Sequence, residues 1–573
     1  MTKHSDHTSN DRVGRRAFLK GAAVLAGAAA GAASGIGGVT AAEPACGKAR
    51  AGRDRLVAKT GAAVVETQYG RVGGYIRNGI FTFKGMPYGA STGGENRFRA
   101  PEKPQPWAGV RSSLHYGLIA PQDKGMGRFH DESAFIFQWN DSVAGEDCLR
   151  VNVWSPGVRD SVRRPVLVWL HGGGFVAGSG HDLPAFDGEN LARRGDVVVV
   201  TLNHRLNLLG YLDLSGYGDR YARSGNVGML DIVAALEWVR DNIAEFGGDP
   251  GRVTIFGQSG GGAKVSALMG IPVAKGLFHR AVVQSGSFTN AISQDMSRRL
   301  ADLVVAELGL NRQTVDELQT MPYDHVRLAC DAVMQRENEP FPGYVDVRQF
   351  ARNLNFAPVM DGSIIPSAPF APKAPGISAD VPMMIGTTLN EFINGVMTPA
   401  DEGMDKAGLT AKAEAMFPGQ GSRIVKAFAA RTPEASPFDL WSRIATSPVR
   451  QAAIDQAASK AALGGAPAYL YSFNWQTPVL DGRPRAFHCL DIPFVFANTE
   501  RCDTMTGGGP RAKALSDRMA DAWIAFARTG NPNHAGIPNW KPYEAADEPC
   551  MIWDDEPKLA FAPDKDELRS IKR

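Results

Sequence analysis

One serine in this chain is set up to act as a nucleophile. Gly257-Gln258-Ser259-Gly260-Gly261 follows an apolar β-type run, Val253–Phe256, and opens a helix-compatible stretch, Ala263–Met269. A serine on so sharp a strand-to-helix turn takes a strained backbone that only small neighbours allow. In return its hydroxyl is exposed at the positive end of a helix, ready to attack a carbonyl carbon. Its strand-turn-helix context gives the pentapeptide its meaning. Such an attack builds negative charge on the carbonyl oxygen, and donors must hold that charge. His171-Gly172-Gly173-Gly174-Phe175 directly follows a second apolar run, Pro165–Leu170. Its glycines let the backbone approach a substrate and offer the N–H groups of Gly173 and Gly174, with the N–H of Gly260 as a third donor. A base for the serine proton and an acid to orient that base complete the requirement. With this elbow they follow in the order Ser, acid, His.

These residues need a scaffold, and the chain supplies alternating strand-like and helix-like stretches. Pro165–Leu170 and Val197–Leu202 are continuous apolar runs suited to buried central strands. From Met229 to Phe246, apolar residues recur at helical spacing, and Gly247-Gly248-Asp249-Pro250 stops the helix. Further strands are expected at Arg280–Gln284, Pro382–Ile385 and Ala468–Trp475. Residues 290–375 and 395–450 read as mainly helical excursions above the sheet. The pattern predicts an α/β fold: a large, mostly parallel sheet with helices on both faces. We read residues 61–573 as a single catalytic domain, preceded by a polar lead-in over 43–60.

The first 42 residues read as an export signal. Arg15-Arg16-Ala17-Phe18-Leu19-Lys20 resembles the twin-arginine pattern, residues 21–42 carry no charge, and Val39-Thr40-Ala41 suits a cleavage site. A periplasmic or secreted mature protein is the expectation. The 573-residue chain has 62 basic and 60 acidic residues. Removing 5 basic and 2 acidic residues with the signal leaves 57 against 58, a net charge of −1. That balance points to neither nucleic acid nor an anionic membrane as a partner. Six cysteines show no metal-ligand spacing. Cys489 and Cys502 are the closest pair and the candidate bridge, which export would permit.

Further motifs make the chain resemble the type-B carboxylesterase family over most of residues 61–550. They are Phe83-Lys84-Gly85-Met86-Pro87-Tyr88-Gly89, Phe98-Arg99-Ala100-Pro101 with Pro106-Trp107, and Glu146-Asp147-Cys148-Leu149 through Trp154. Asn226-Val227-Gly228-Met229-Leu230-Asp231 and Phe246–Pro250 precede the elbow in the same manner. The resemblance implies an α/β-hydrolase fold and a cofactor-free, metal-free Ser-His-Glu esterase acting on small-molecule esters. It places the acid at Glu391, which closes Gly386-Thr387-Thr388-Leu389-Asn390-Glu391, and the base at His488 in Phe487-His488-Cys489-Leu490-Asp491. It implies supporting roles for Gln258, for Ser285 as a hydrogen-bonding neighbour of the triad, and for Asp491 as a structural ion-pair partner.

Three departures stand out. Cys148 lacks the cysteine that pairs with it in animal members, and is expected to be a free, packed thiol. Gln258 replaces the Glu of liver carboxylesterases and cholinesterases, which favours neutral esters. Gly260 replaces the usual Ala. An amidase or lactonase would use the same machinery, and a non-catalytic adhesion protein would keep the fold without the triad. The substrate gorge depends on loops such as Ser133–Val143.

Overall fold

The computed structural model describes residues 55–123, 130–140, 142–340 and 353–571. The export segment 1–42, Cys46 and most of the lead-in lie outside the described residues. Asp54–Arg573 forms one compact unit.

Among the described residues its main sheet has twelve strands. Seven neighbours run parallel in the order Val198–Leu202, Arg164–Leu170, Gly248–Gln258, Arg280–Gln284, Met383–Thr388, Ala468–Phe473 and Pro549–Trp553. The apolar runs are continuous because both faces are covered. Val166, Val168 and Leu170 join one core with the helix Val227–Asn242. Leu167 and Trp169 point the other way, into a core with Trp523 and Phe526 of the helix Gly509–Thr529.

Register brings the carboxyl ends of these strands to one level. Leu170 pairs with Gly257, Gln258 with Gln284, Gln284 with Gly386, and Gly386 with Tyr471. The residues that follow each strand therefore emerge side by side, where open parallel sheets place their ligands.

The sheet is mostly parallel with helices on both faces, as the sequence reading expects, and four details differ from that reading or go beyond it. The sheet margin before Val198 is antiparallel, through Arg150–Ser155, Ile80–Pro87, Tyr75–Arg77 and Leu56–Val57. A local signal for that hairpin exists in Asn78-Gly79, both at positive φ (50° and 84°), the turn geometry that joins antiparallel strands. The helix Val227–Asn242 is buried on more than the expected stripe, because Asp231 also points inward and is fully paired with Arg205. The expected helices of 290–375 end with Tyr323–Glu337 among the described residues. Residues 353–375 carry Pro358, Pro366, Pro369, Pro372 and Pro375, which remove helix donors. There the chain forms only a short strand, Val359–Met360, paired with Ile292–Ser293. The second excursion is helical as expected, over Lys406–Met416, Gly421–Arg431 and Pro437–Ala461. Finally, Cys489 and Cys502 are free thiols, as are Cys148, Cys330 and Cys550. Cys502 is packed in the core and Cys489 turns toward Gln258, so the expected bridge is absent.

Candidate active site

Ser259 sits between the strand Gly248–Gln258 and the helix Gly260–Leu268 with φ 58° and ψ −125°. A non-glycine residue persists there only if its surroundings enforce it. Its N–H donates to the Gln284 carbonyl at 2.8 Å, and the neighbouring glycines give it room. A β-carbon on Gly257 would stand 2.6 Å from Gly261, and one on Gly261 would overlap the Leu170 carbonyl. The side-chain hydroxyl makes no hydrogen bond among the described residues.

The glycine loop leaves the neighbouring strand directly beside this turn. Gly173 and Gly174 have φ of 81° and 60° and are exposed. Their N–H groups donate to nothing among the described residues. A β-carbon on Gly260 would lie 2.5 Å from both the N and Cα of Gly174. The loop therefore rests on the first residue of the helix, leaving no room for the alanine usual at this position. His171 is buried, with Nδ1 2.9 Å from the Gly172 carbonyl and its ring stacked on His204 at 5.0 Å.

Glu391 and His488 meet from two separate connections. Glu391 follows the strand Met383–Thr388 and curls back, so that Oε1 accepts from the Thr388 N–H at 3.0 Å. Oε2 lies 2.5 Å from His488 Nδ1. The two loops are laced by backbone bonds, His488 N–H to the Glu391 carbonyl at 2.8 Å and Asn390 N–H to the Ala486 carbonyl at 3.1 Å. The Glu391 side chain is 1% exposed and that of His488 is 13%. With Nδ1–H donating to the carboxylate, the lone pair of His488 is left on Nε2. Phe392 lies against the imidazole with ring centres 4.0 Å apart.

The supporting residues differ in what they touch. The Gln258 amide nitrogen lies 3.3 Å from Nδ1 and 3.2 Å from Nε2 of His488. The amide is thus nearly equidistant from the two ring nitrogens. Its Oε1 accepts from the Cys489 thiol at 3.2 Å. Among the described residues the ion pair expected for Asp491 does not form. Asp491 is buried, and Oδ2 accepts from Gln284 Nε2 at 2.9 Å and from the Tyr471 hydroxyl at 3.1 Å. Burial, with Glu391 nearby, pushes its carboxyl up to about 6, against the opposing hydrogen bonds. The hydrogen bond expected from the Ser285 hydroxyl is also absent; among the described residues that oxygen is buried without a partner, while the Ser285 N–H donates to the Gly386 carbonyl at 2.7 Å. The sequence reading missed Gln284, Tyr471, Cys489 and Phe392. Of these, Phe392 and Cys489 adjoin predicted site residues, and Gln284 lies next to Ser285.

Comparison with known proteins fits this geometry. The model of the carboxylesterase family matches residues 61–570. The chain is 34% identical over 513 residues to a para-nitrobenzyl esterase of Bacillus subtilis (strain 168), covering 89% of this chain and 98% of that protein. It is 33% identical over 502 residues to a phenmedipham hydrolase of Pseudarthrobacter oxydans, covering 86% and 95%. A solved esterase from Clostridium hathewayi, described as hydrolysing aliphatic aromatic polyesters, superposes with a TM-score of 0.75. It is 38% identical, over 89% of this chain and 97% of that one. The chain belongs to the carboxylesterase family and is a serine carboxylesterase of the α/β-hydrolase fold.

Proposed function

We propose that this enzyme hydrolyses neutral carboxylic esters through an acyl-enzyme formed on Ser259. His488 Nε2 takes the serine proton as the hydroxyl attacks the ester carbonyl. Glu391 holds the imidazole and stabilises its cation, while the N–H groups of Gly173, Gly174 and Gly260 bind the oxyanion. The protonated imidazole gives its proton to the leaving alcohol. His488 then activates water, which releases the acid. The observation that carries this reading is the 2.5 Å contact between His488 Nδ1 and Glu391, set beside a serine held at φ 58°. The neutral side chain of Gln258 beside the nucleophile supports uncharged esters as substrates.

The test pairs kinetics with labelling. Ser259→Ala should fold and lose roughly 10⁴-fold or more in kcat, and an organophosphate should label the wild type at Ser259 but not the variant. Glu391→Gln should bind substrate and lose turnover, whereas Asp491→Asn should keep it. A benign Glu391→Gln beside an inactive, folded Asp491→Asn would move the acid role to Asp491.

We also propose that residues 1–42 direct twin-arginine export. Changing Arg15 and Arg16 together to Lys should hold the uncleaved precursor in the cytoplasm. Unchanged export of that form refutes the route.

A further inference from the structure

Lys264 is a buried lysine that the reaction above does not use. It lies on the helix Gly260–Leu268 and is 0% exposed. Among the described residues its Nζ donates one hydrogen bond, to the His171 carbonyl at 2.9 Å, and stands 5.7 Å from the centre of the Phe175 ring. His171 and Phe175 are the two residues that bracket Gly172, Gly173 and Gly174. Burial pushes the ammonium down to about 7, against the opposing pull of Asp182. Its charge also bears on two buried imidazoles, His171 and His204, both held well below the usual histidine range chiefly by burial.

As a packing element this is a poor arrangement. A buried ammonium with one hydrogen bond loses more hydration than it regains, and an apolar side chain of similar length would fill the space without that penalty. The contacts suit another purpose. The same helix carries the third oxyanion donor at Gly260, and the loop rests so closely on Gly260 that a methyl group there would stand 2.5 Å from the Gly174 nitrogen. An amine one turn further along the helix meets the near end of the loop through a carbonyl and the far end over an aromatic face.

We infer that Lys264 is a positioning residue of the oxyanion hole, tethering the loop His171–Phe175 to the nucleophile helix so that the N–H groups of Gly173, Gly174 and Gly260 converge. Gly260 is the complementary feature, since its missing methyl lets the tethered loop close. The inference rests on the serine-esterase reading above. It concerns the transition state, where the oxyanion is formed, more than substrate binding.

The experiment compares wild type with Lys264→Met, using a para-nitrophenyl ester, a trifluoromethyl ketone that forms a tetrahedral oxyanion adduct, and thermal unfolding. We expect kcat to fall about tenfold or more with KM within about twofold, ketone affinity to fall by a similar factor, and Tm to be unchanged or raised. In the Lys264→Met background, Gly260→Ala should cost less kcat than in wild type, because an untethered loop can lift away from the methyl group. Unchanged kcat and ketone affinity in folded Lys264→Met, or equal Gly260→Ala losses in both backgrounds, overturns the inference. Lys264→Gln is the second variant. If neither variant folds, the lysine serves core stability and the inference fails. Organophosphate labelling of wild type is the control: if Ser259 is not labelled, the catalytic reading itself has failed, and with label present the variant results bear on Lys264 alone.

Discussion

Gln258 places a neutral amide within 3.3 Å of both nitrogens of His488. A carboxylate in that position would favour the imidazolium and so oppose the base form that accepts the serine proton. Gln258→Glu should therefore move the acid limb of kcat/KM to higher pH, by on the order of one unit. The same substitution should raise the preference for butyrylcholine over the uncharged 3,3-dimethylbutyl butyrate, which the wild type should not favour. The side chain is buried, and its oxygen is engaged by Cys489, so the pH effect should exceed the selectivity effect. An unmoved acid limb would mean that residue 258 leaves the imidazole in the working enzyme. At this scale the sequence was most legible where chemistry forces a motif, as at Ser259 and the three glycines. It was least legible where a partner comes from elsewhere in the chain. Asp491 reads as an ion-pair member because it is charged, but Gln284 and Tyr471, which hold it, are brought there only by strand register.

Loop and helix meet at the elbow with no spare volume. The helix starts at Gly260 against Gly174, so the loop's height above the helix is set by one missing methyl group. Gly260→Ala should force the two apart by a few tenths of an ångström or more and misplace the oxyanion donors. Loss of one such donor elsewhere costs about 10²–10³ in kcat. A displaced donor should cost less, roughly tenfold, with KM nearly constant. Wild-type kcat in folded Gly260→Ala would show that the loop re-seats freely. The sequence placed the strand Arg280–Gln284 at its observed bounds, and the elbow strand within a longer one, Gly248–Gln258. It identified these elements because a strand buried on both faces must be apolar throughout. It did not show the antiparallel margin, whose half-exposed strands, such as Tyr75–Arg77, carry polar residues. It could not foresee the closeness of Gly260 to Gly174, because a glycine's spelling is the same in a loose turn and in a tight contact.

Across the whole molecule, the family motifs outside the active site prove to be fastenings. Arg205 and Asp231 form a buried pair through two hydrogen bonds at 2.8 and 2.6 Å, and Arg205 also donates to the Arg99 carbonyl at 2.7 Å. Arg97 pairs with Glu146. Arg205 thereby joins the early motif at Arg99 to the helix that precedes the elbow, and Arg97 ties the segment beside that motif to Glu146. Among the described residues no helix is long and apolar enough to cross a membrane. One buried acid under the site lacks such a cationic partner, and it should tune the stability of the compact unit with pH. Asp491 is raised from 3.8 to about 6 in the fold, chiefly by burial. Between those values the folded protein keeps a proton that the unfolded chain releases, so this contribution is complete below about pH 4 and is lost as pH rises through about 6. Two pK units correspond to roughly 3 kcal/mol, and the group is 0% exposed. Asp491→Asn stays neutral and keeps an oxygen for Gln284 and Tyr471. Its stability relative to wild type, from urea midpoints, should therefore rise between pH 4 and 7 by roughly 2–3 kcal/mol. The comparison cancels other groups that titrate in the same range, including Glu567, which burial also pushes up to about 6. A flat difference across that range, with the variant less stable throughout, would show that Asp491 is ionised in the fold and that its charge is needed by Gln284 and Tyr471.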